Sequence, residues 1–436
     1  MDIKDPIHGS IPLSQAEANI LDTAAFQRLR QIKQLGFAEF SFPGATHNRF
    51  IHSLGVMHLA GLAFDTIFKN FPFSSTKVSS RFRQCVRLGA LLHDLGHGPL
   101  SHTTEEVMPK LSLLKVDAYK HHQPDDQIRF DRDGDRKANH EDYTIKFLTD
   151  SPLTEELRRS FPDLTPFHVA CLVDRSLQPP DDFFMDKGLN FRTILSQLVS
   201  SELDADRMDY LERDSYFCGT NYGKVERSWL LGNLTYHQVK EDLHLALDRR
   251  ALYTFDDFLI SRHHMYLMVY FHHKSIIYEE MLYRYLTSKD CTYFLSPQLE
   301  EYCRSTDYSL YEHLAASSNE WAQRITQRRP YRMVFELHAV EETTRTENMR
   351  KALEDEGLHV IMASSQARLS KYHMMSAEEK SAIFVVDQYD TLGEIMPIEQ
   401  STGIFRKYEE TRSIERLYVA PENYTLARDL IFRKRL

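Results

Sequence analysis

An apolar helical run, LGALL, ends in two ionisable side chains, His93 and Asp94, and the chain then turns through LGHGPLSH. Buried ionisable groups are costly unless they are paired or hold a metal. A fold that buries this helix must therefore place something compensating at its end. Two further candidates stand in similar helical contexts: His52 in HNRFIHSLG and Asp206 in SELDADRMDYLERD. Together the set offers two nitrogen and two oxygen donors. It suits a borderline or hard divalent ion and leaves positions open for water and substrate. Such a pattern points to a metal-assisted hydrolase.

The first two-thirds of the chain predict helix after helix. Ser14 with Glu17 makes a capping box before Ile20 and Leu21. Phe26, Leu29 and Ile32 form the stripe of the next segment, which Gly36 stops. Helical spacing also covers 50–69, 81–94, 101–109, 140–149, 153–160, 194–214, 227–234 and 255–286, with few strand signals. Residues 117–139 are polar and without period, as expected of a surface loop. DRDGD within them resembles a calcium loop only loosely, because its glycine comes too early and the closing Glu is missing. After about 325 the pattern changes. RMVFELHAV (332–340), LHVIMAS (358–364), AIFVVDQ (382–388) and RSIERLYVA (412–420) read as strands, with helices at 344–356 and from Tyr424. The expectation is a mainly α protein, with a helical core over 1–290 and a smaller α+β lobe over 291–436.

Composition narrows the function classes. A formal charge of -10 argues against phosphate-driven nucleic-acid binding over the whole surface, while a local basic pocket for nucleic acid stays open. Five cysteines without a C-x-x-C pair fit reduced thiols in the cytoplasm. The opening MDIKDPIHGSI has no basic-then-apolar pattern, so no signal peptide is expected, and no apolar stretch is expected to be long enough to span a bilayer.

Several residues can serve the same pocket. Arg49 stands three before His52, so both can share a helix face, and a phosphate is a natural partner for its guanidinium. His97 follows His93 by four across Gly96-His97-Gly98-Pro99, with Ser101 read as an N-cap that brings His102 and Glu105 onto one side. Histidine is the usual proton donor near neutral pH. Asp206, Tyr210 and Asp214 fall at i, i+4 and i+8 of one helix. Asp204 and Asp209 project elsewhere, toward solvent or structural pairs, yet the residues alone do not decide between Asp204 and Asp206 as the ligand. His140 and Glu141 serve equally well as a proton relay or as an ordinary helix start. Arg262, Tyr270 and His272 either wall the pocket or belong to a buried helix face.

Taken jointly, DPIHG (5–9), FQRLRQIKQLG (26–36), FPGATHNRFIHSLGVMHLAG (42–61), LLHDLGHGPLSH (91–102), HED (140–142) and ELDADRMDYLERD (202–214) carry a resemblance. The chain resembles the HD-domain phosphohydrolases. Within them it is similar to the deoxynucleoside triphosphate triphosphohydrolases, in the branch of the SAM- and HD-domain-containing enzyme, without a SAM domain. The resemblance covers much of 1–275 and little beyond 290. It implies that His52, His93, Asp94 and Asp206 ligate a divalent metal (Mn, Fe, Mg, Ni or Zn), selecting the second Asp of DxD. It implies an acid–base surround of His97, His102, Glu105, His140 and Glu141, and phosphate contacts from Arg49, Arg207 and Arg262, with Arg207 replacing a Lys. Gln34, Leu35, Tyr210, Asp214 and Tyr270 match positions around the sugar, where Leu35 and Tyr210 would exclude a 2′-hydroxyl.

The resemblance further implies a homo-oligomer, tetramer or dimer, with an activating nucleotide at interface sites, and Asp22, Gln27 and Arg30 match guanine-reading positions. Asp2 and Asp248 depart from that pattern, since both stand where basic residues are expected near a triphosphate. The expected reaction is hydrolysis of a dNTP to deoxynucleoside and inorganic triphosphate. The alternatives are an HD-type phosphodiesterase or nuclease, a nucleoside monophosphatase, and a non-catalytic nucleotide sensor.

Overall fold

The computed structural model describes residues 1–121, 136–339, 344–367, 382–387, 395–402, 404 and 412–434. DRDGD lies outside these residues. Among the described residues the chain is mainly helical, with three sheets. At the centre α1 (Arg49–Ile67) packs along α2 (Thr76–Leu92). α1 is apolar on nearly every side, which marks a helix enclosed by others. By length and composition it could cross a membrane, which corrects the expectation that no stretch could. It is mostly buried instead, with Arg49 and His52 inside at its start.

Four helices that frame the site begin at side-chain caps. Asn48 accepts from Ile51 N at 3.2 Å to start α1, and Ser75 accepts from Val78 N at 3.3 Å to start α2. Asn139 and Asp142 form a capping box at α3 (His140–Thr149). Asp204 accepts from Arg207 N at 2.7 Å at α4 (Ala205–Phe217). Each cap satisfies a backbone N–H that the helix leaves unpaired.

The helical readings need three adjustments. The segment 194–214 is two helices, because Asp204 caps the second after a break at 200–204. The segment 255–286 is α5 (Leu252–Met265), a π turn over Tyr266–Tyr270, and α6 (His273–Leu286). Third, an antiparallel hairpin, Leu234–Val239 with Asp242–Asp248, stands where strand signals were few. Its second strand, LHLALD, has Leu243, Leu245, Ala246 and Leu247 all buried, so the alternation of a half-exposed strand is lost.

In the C-terminal lobe Arg412–Val419 is the central strand, antiparallel to both Arg332–Ala339 and Val360–Ala367. Period-two alternation splits its side chains. Leu417 and Val419 face the cluster with Met349, Leu353 and Ala427. Tyr418 joins Ile277, Met281 and Tyr285 of α6. The expected strand at 382–388 exists over Phe384–Val386, but it runs parallel to Asp242–Asp248 in the helical body. Its Ile383 and Val385 bury in that body's core, which is where the pairing is decided.

Candidate metal centre and active site

His52 comes from the first turn of α1, His93 from the end of α2, and Asp206 from the first turn of α4. One ligand atom from each lies within 4.8 Å of the other two. His52 Nδ1 donates to Asp209 Oδ2 at 2.8 Å, and His93 Nδ1 donates to the Ala90 carbonyl at 2.8 Å. These bonds fix each ring so that Nε2 points at the shared centre, where neither Nε2 makes a well-formed hydrogen bond. His52 Nε2 stands 3.0 Å and His93 Nε2 3.6 Å from Asp206 Oδ1. Two buried imidazole nitrogens that converge on one carboxylate without a well-formed hydrogen bond are the donor set a divalent ion needs, so the residues fit one. Asp94 stands slightly apart. One oxygen is 3.3 Å from His93 Nε2, the other 3.8 Å from His52 Nε2, and Arg49 is ion-paired to it.

Burial opposes charge on these rings, but the carboxylates outweigh it. Asp206 and Asp209 raise His52 to about 10, and Asp94 with Asp206 raises His93 to about 9. Burial likewise opposes charge on Asp206, and the two histidines still pull it well down. A cation entering here must displace protons from the imidazoles.

Behind the candidate ligands lies a layer that sequence reasoning missed. Asp209, fully buried, accepts from His52, from His8 Nε2 at 2.5 Å, and from Arg213 at 2.7 and 2.9 Å. Arg213 also reaches Asp5 at 2.8 Å. Asp209 forms structural pairs, one of its two expected roles, and not a solvent contact, because residue 209 sits three past Asp206 and shares its inward face. A Cβ on Gly55 would lie 1.9 Å from Asp209 Oδ1, so only glycine fits there. The available signal was DPIHG, which supplies Asp5 and His8.

The histidine turn forms a second cluster. His97 stacks on His140 at 3.9 Å between centroids, and His102 stands edge-on to both at 5.1 Å. Glu105 accepts from His140 Nδ1 at 2.6 Å and lies 3.2 Å from His102 Nδ1. Burial would raise Glu105, but His102 and His140 hold it down at about 2. Burial and the nearby Arg49 keep His97 well below the ordinary imidazole range. His97 Nε2 is 3.3 Å from Asp94, which links this cluster to the triad. Gly96 allows the approach, since a Cβ there would lie 1.9 Å from the His140 carbonyl.

One expectation fails here, and one residue points away. Ser101 is not an N-cap: it has φ +59° and its hydroxyl accepts from Arg49 Nη2 at 2.8 Å, after a left-handed Leu100. Glu141 is exposed, because consecutive helix residues point about 100° apart and His140 takes the inward direction.

The remaining residues form two walls. His47 Nε2 donates to Asp214 Oδ1 at 2.7 Å, Tyr270 Oη donates to Asp214 Oδ2 at 2.8 Å, and the Tyr210 and Tyr270 rings are 6.2 Å apart. Gln34 N donates to the His47 carbonyl at 3.0 Å, its side-chain Oε1 is buried without a partner, and Leu35 follows it. His47 was not singled out from sequence. On the other side Arg262 pairs with Glu202 at 2.9 Å, and Arg207 with Asp204 at 2.9 Å and Glu202 at 3.7 Å. His272 caps α6 instead of lining this wall. At the surface Arg30 Nε donates to Gln27 Oε1 at 2.8 Å beside exposed Asp22.

Residues 49–161 match the family profile described as HD domain, and residues 231–365 match that of the HD associated region. The deoxynucleoside triphosphate triphosphohydrolase SAMHD1 homolog of Dictyostelium discoideum is 30% identical over 301 residues, covering 69% of this chain and 51% of that protein. Human SAMHD1 is 27% identical over 418 residues, covering 88% of this chain and 61% of that protein. The chain spans about half to three-fifths of the length of such curated relatives. A solved hypothetical protein from Aquifex aeolicus shares the fold, with a TM-score of 0.73 over 99% of both chains at 24% identity. This polypeptide therefore carries an HD domain followed by an HD associated region, with SAMHD1 proteins among its homologues.

Proposed function

We propose that the protein is a metal-dependent triphosphohydrolase that converts dNTPs to deoxynucleoside and inorganic triphosphate. The observation that carries this reading is that α4 brings one member of the cation-ready triad, Asp206, and two wall residues, Tyr210 and Asp214, onto one face. Asp206, Tyr210 and Asp214 project from successive turns of α4, and the named SAMHD1 relatives bear that activity in their description. A divalent cation held by His52, His93 and Asp206, with Asp94 beside them, supplies Lewis acidity toward the α-phosphate.

The chain's own residues do the rest. Arg49, Arg207 and Arg262 bind phosphate oxygens, exchanging part of their present carboxylate pairing for the substrate. His97, His102 and His140 pass a proton to the departing oxygen, with Glu105 holding the last two rings in place. Gln34 Oε1 and the Asp214 carboxylate receive the 3′-hydroxyl, while Leu35 and Tyr210 close the space beside the 2′ carbon. A 2′-hydroxyl pressed against that wall would lose its hydrogen bonds, a penalty of about 1–3 kcal/mol.

The test is incubation with each dNTP and NTP in Mn or Mg, with products separated by anion exchange. Intact triphosphate from dNTPs, absent with Asp206→Ala, is expected. Phosphate or pyrophosphate release without triphosphate, or cleavage of oligonucleotides alone, would overturn the reading.

A further inference from the structure

One buried carboxylate outside the HD domain touches both halves of the site. Asp307 opens the helix Asp307–Ala316 in the associated region and is 2% exposed. Its Oδ2 accepts from the backbone N–H of Lys33, and its Oδ1 from that of Leu100, both at 2.8 Å. Lys33 leads into Gln34 and Leu35 of the sugar wall. Leu100 leads into Ser101 and His102 of the histidine turn.

The turn needs outside support. Leu100 and Ser101 have φ of +52° and +59°, two successive side-chain-bearing residues in the left-handed region. That conformation is rare for single non-glycine residues, and it persists where surrounding structure over-determines it. Here the strained pair carries the Ser101 hydroxyl to Arg49 and sets the direction of the strand of chain bearing His102. The stretch just before Asp307 grips the same turn twice more. Tyr302 Oη donates to the Gly96 carbonyl at 2.6 Å. Arg28 bridges the Ser305 carbonyl at 3.0 Å and the His97 carbonyl at 2.6 Å.

A carboxylate is the small group that offers two acceptors and no donor, which two backbone N–H groups facing it from different segments require. We propose that Asp307 is a positioning residue that fixes the spacing between the sugar wall and the histidine turn. Through that spacing it sets the discrimination of deoxyribose from ribose. The second part rests on the triphosphohydrolase reading; the clamp itself does not.

Asp307→Asn tests both parts, since the amide keeps the shape but presents a donor to one of the two N–H groups. The expected result is a fall of about tenfold in the ratio of kcat/KM for a dNTP over its NTP, as misplaced contacts near the reacting group cost rate and selectivity. A loss of folded fraction scales both substrates equally and leaves this ratio unchanged. Hydrogen exchange of the variant should also show the Lys33 and Leu100 segments losing protection together. An unchanged ratio, or loosening of one segment alone, would overturn the proposal. If the variant does not fold, the wild-type protein decides: amides of Lys33 and Leu100 must open at the same rate, and unequal opening refutes the clamp. If the wild type cleaves no nucleoside triphosphate, the functional reading fails while the exchange result still judges the clamp.

Discussion

Asp209 stands behind His52, where its charge is shared among an imidazole, a second histidine and a guanidinium. Its bond to Nδ1 orients the ring and raises the basicity of Nε2, and losing such a partner typically weakens metal binding about 10- to 100-fold. Asp209→Asn keeps the volume and removes the charge. A chelator-competition titration should show Mn affinity falling within that range, and an unchanged affinity would refute the role. At this scale the sequence exposes residue types well and directions poorly. Asp204 and Asp206 are alike in a D-x-D pattern, and the structure separates them because one caps α4 while the other lies inside its first turn. The helix start at Ala205 is the information the pattern lacks. His47 stays hidden in sequence for the same reason: its partner, Asp214, is 167 residues away.

The elements were most legible where periodicity was long. The cores of α1, α2 and α3 follow from apolar spacing and caps, and the lobe's strands from period two. The hairpin at 234–248 escaped because its inner strand is buried throughout, and Phe384–Val386 joined a sheet that local pattern could not nominate. α6 carries a testable tension of its own. Burial, with the neighbouring Glu280, pushes the Glu279 carboxyl up from its ordinary 4.5 to about 7. Below 4.5 the group is neutral whether the chain is folded or not. Between 4.5 and 7 only the unfolded chain ionises, so its stabilising contribution is lost as pH rises through that window. Glu279→Gln should therefore match the wild type in thermal midpoint near pH 4 and exceed it at pH 8. Equal midpoints at both values would show that α6 does not bury this carboxyl.

Across the whole molecule the three candidate ligand side chains come from helices that begin at residues 49, 76 and 205, so the donor set exists only in the folded chain. A cation that binds the folded state alone stabilises it by mass action, by about 2.7 kcal/mol at a hundred times its dissociation constant. Adding Mn to chelator-treated protein should raise the midpoint by a few degrees. Asp206→Ala should abolish that response. In the ion-free protein the substitution also removes the Asp206 contacts to His52 and His93, so the readout is the Mn-induced shift and not the midpoint itself. His52 and His93 would then keep their Nδ1 bonds, and the helices their caps. A midpoint indifferent to Mn would mean that the buried imidazoles are satisfied without an ion, and the metal-dependent reading would fall with it. A shift that survives Asp206→Ala would move the cation to another donor set, the clustered His97, His102 and His140 being, among the described residues, the other group whose ligand atoms lie within 4.8 Å of one another.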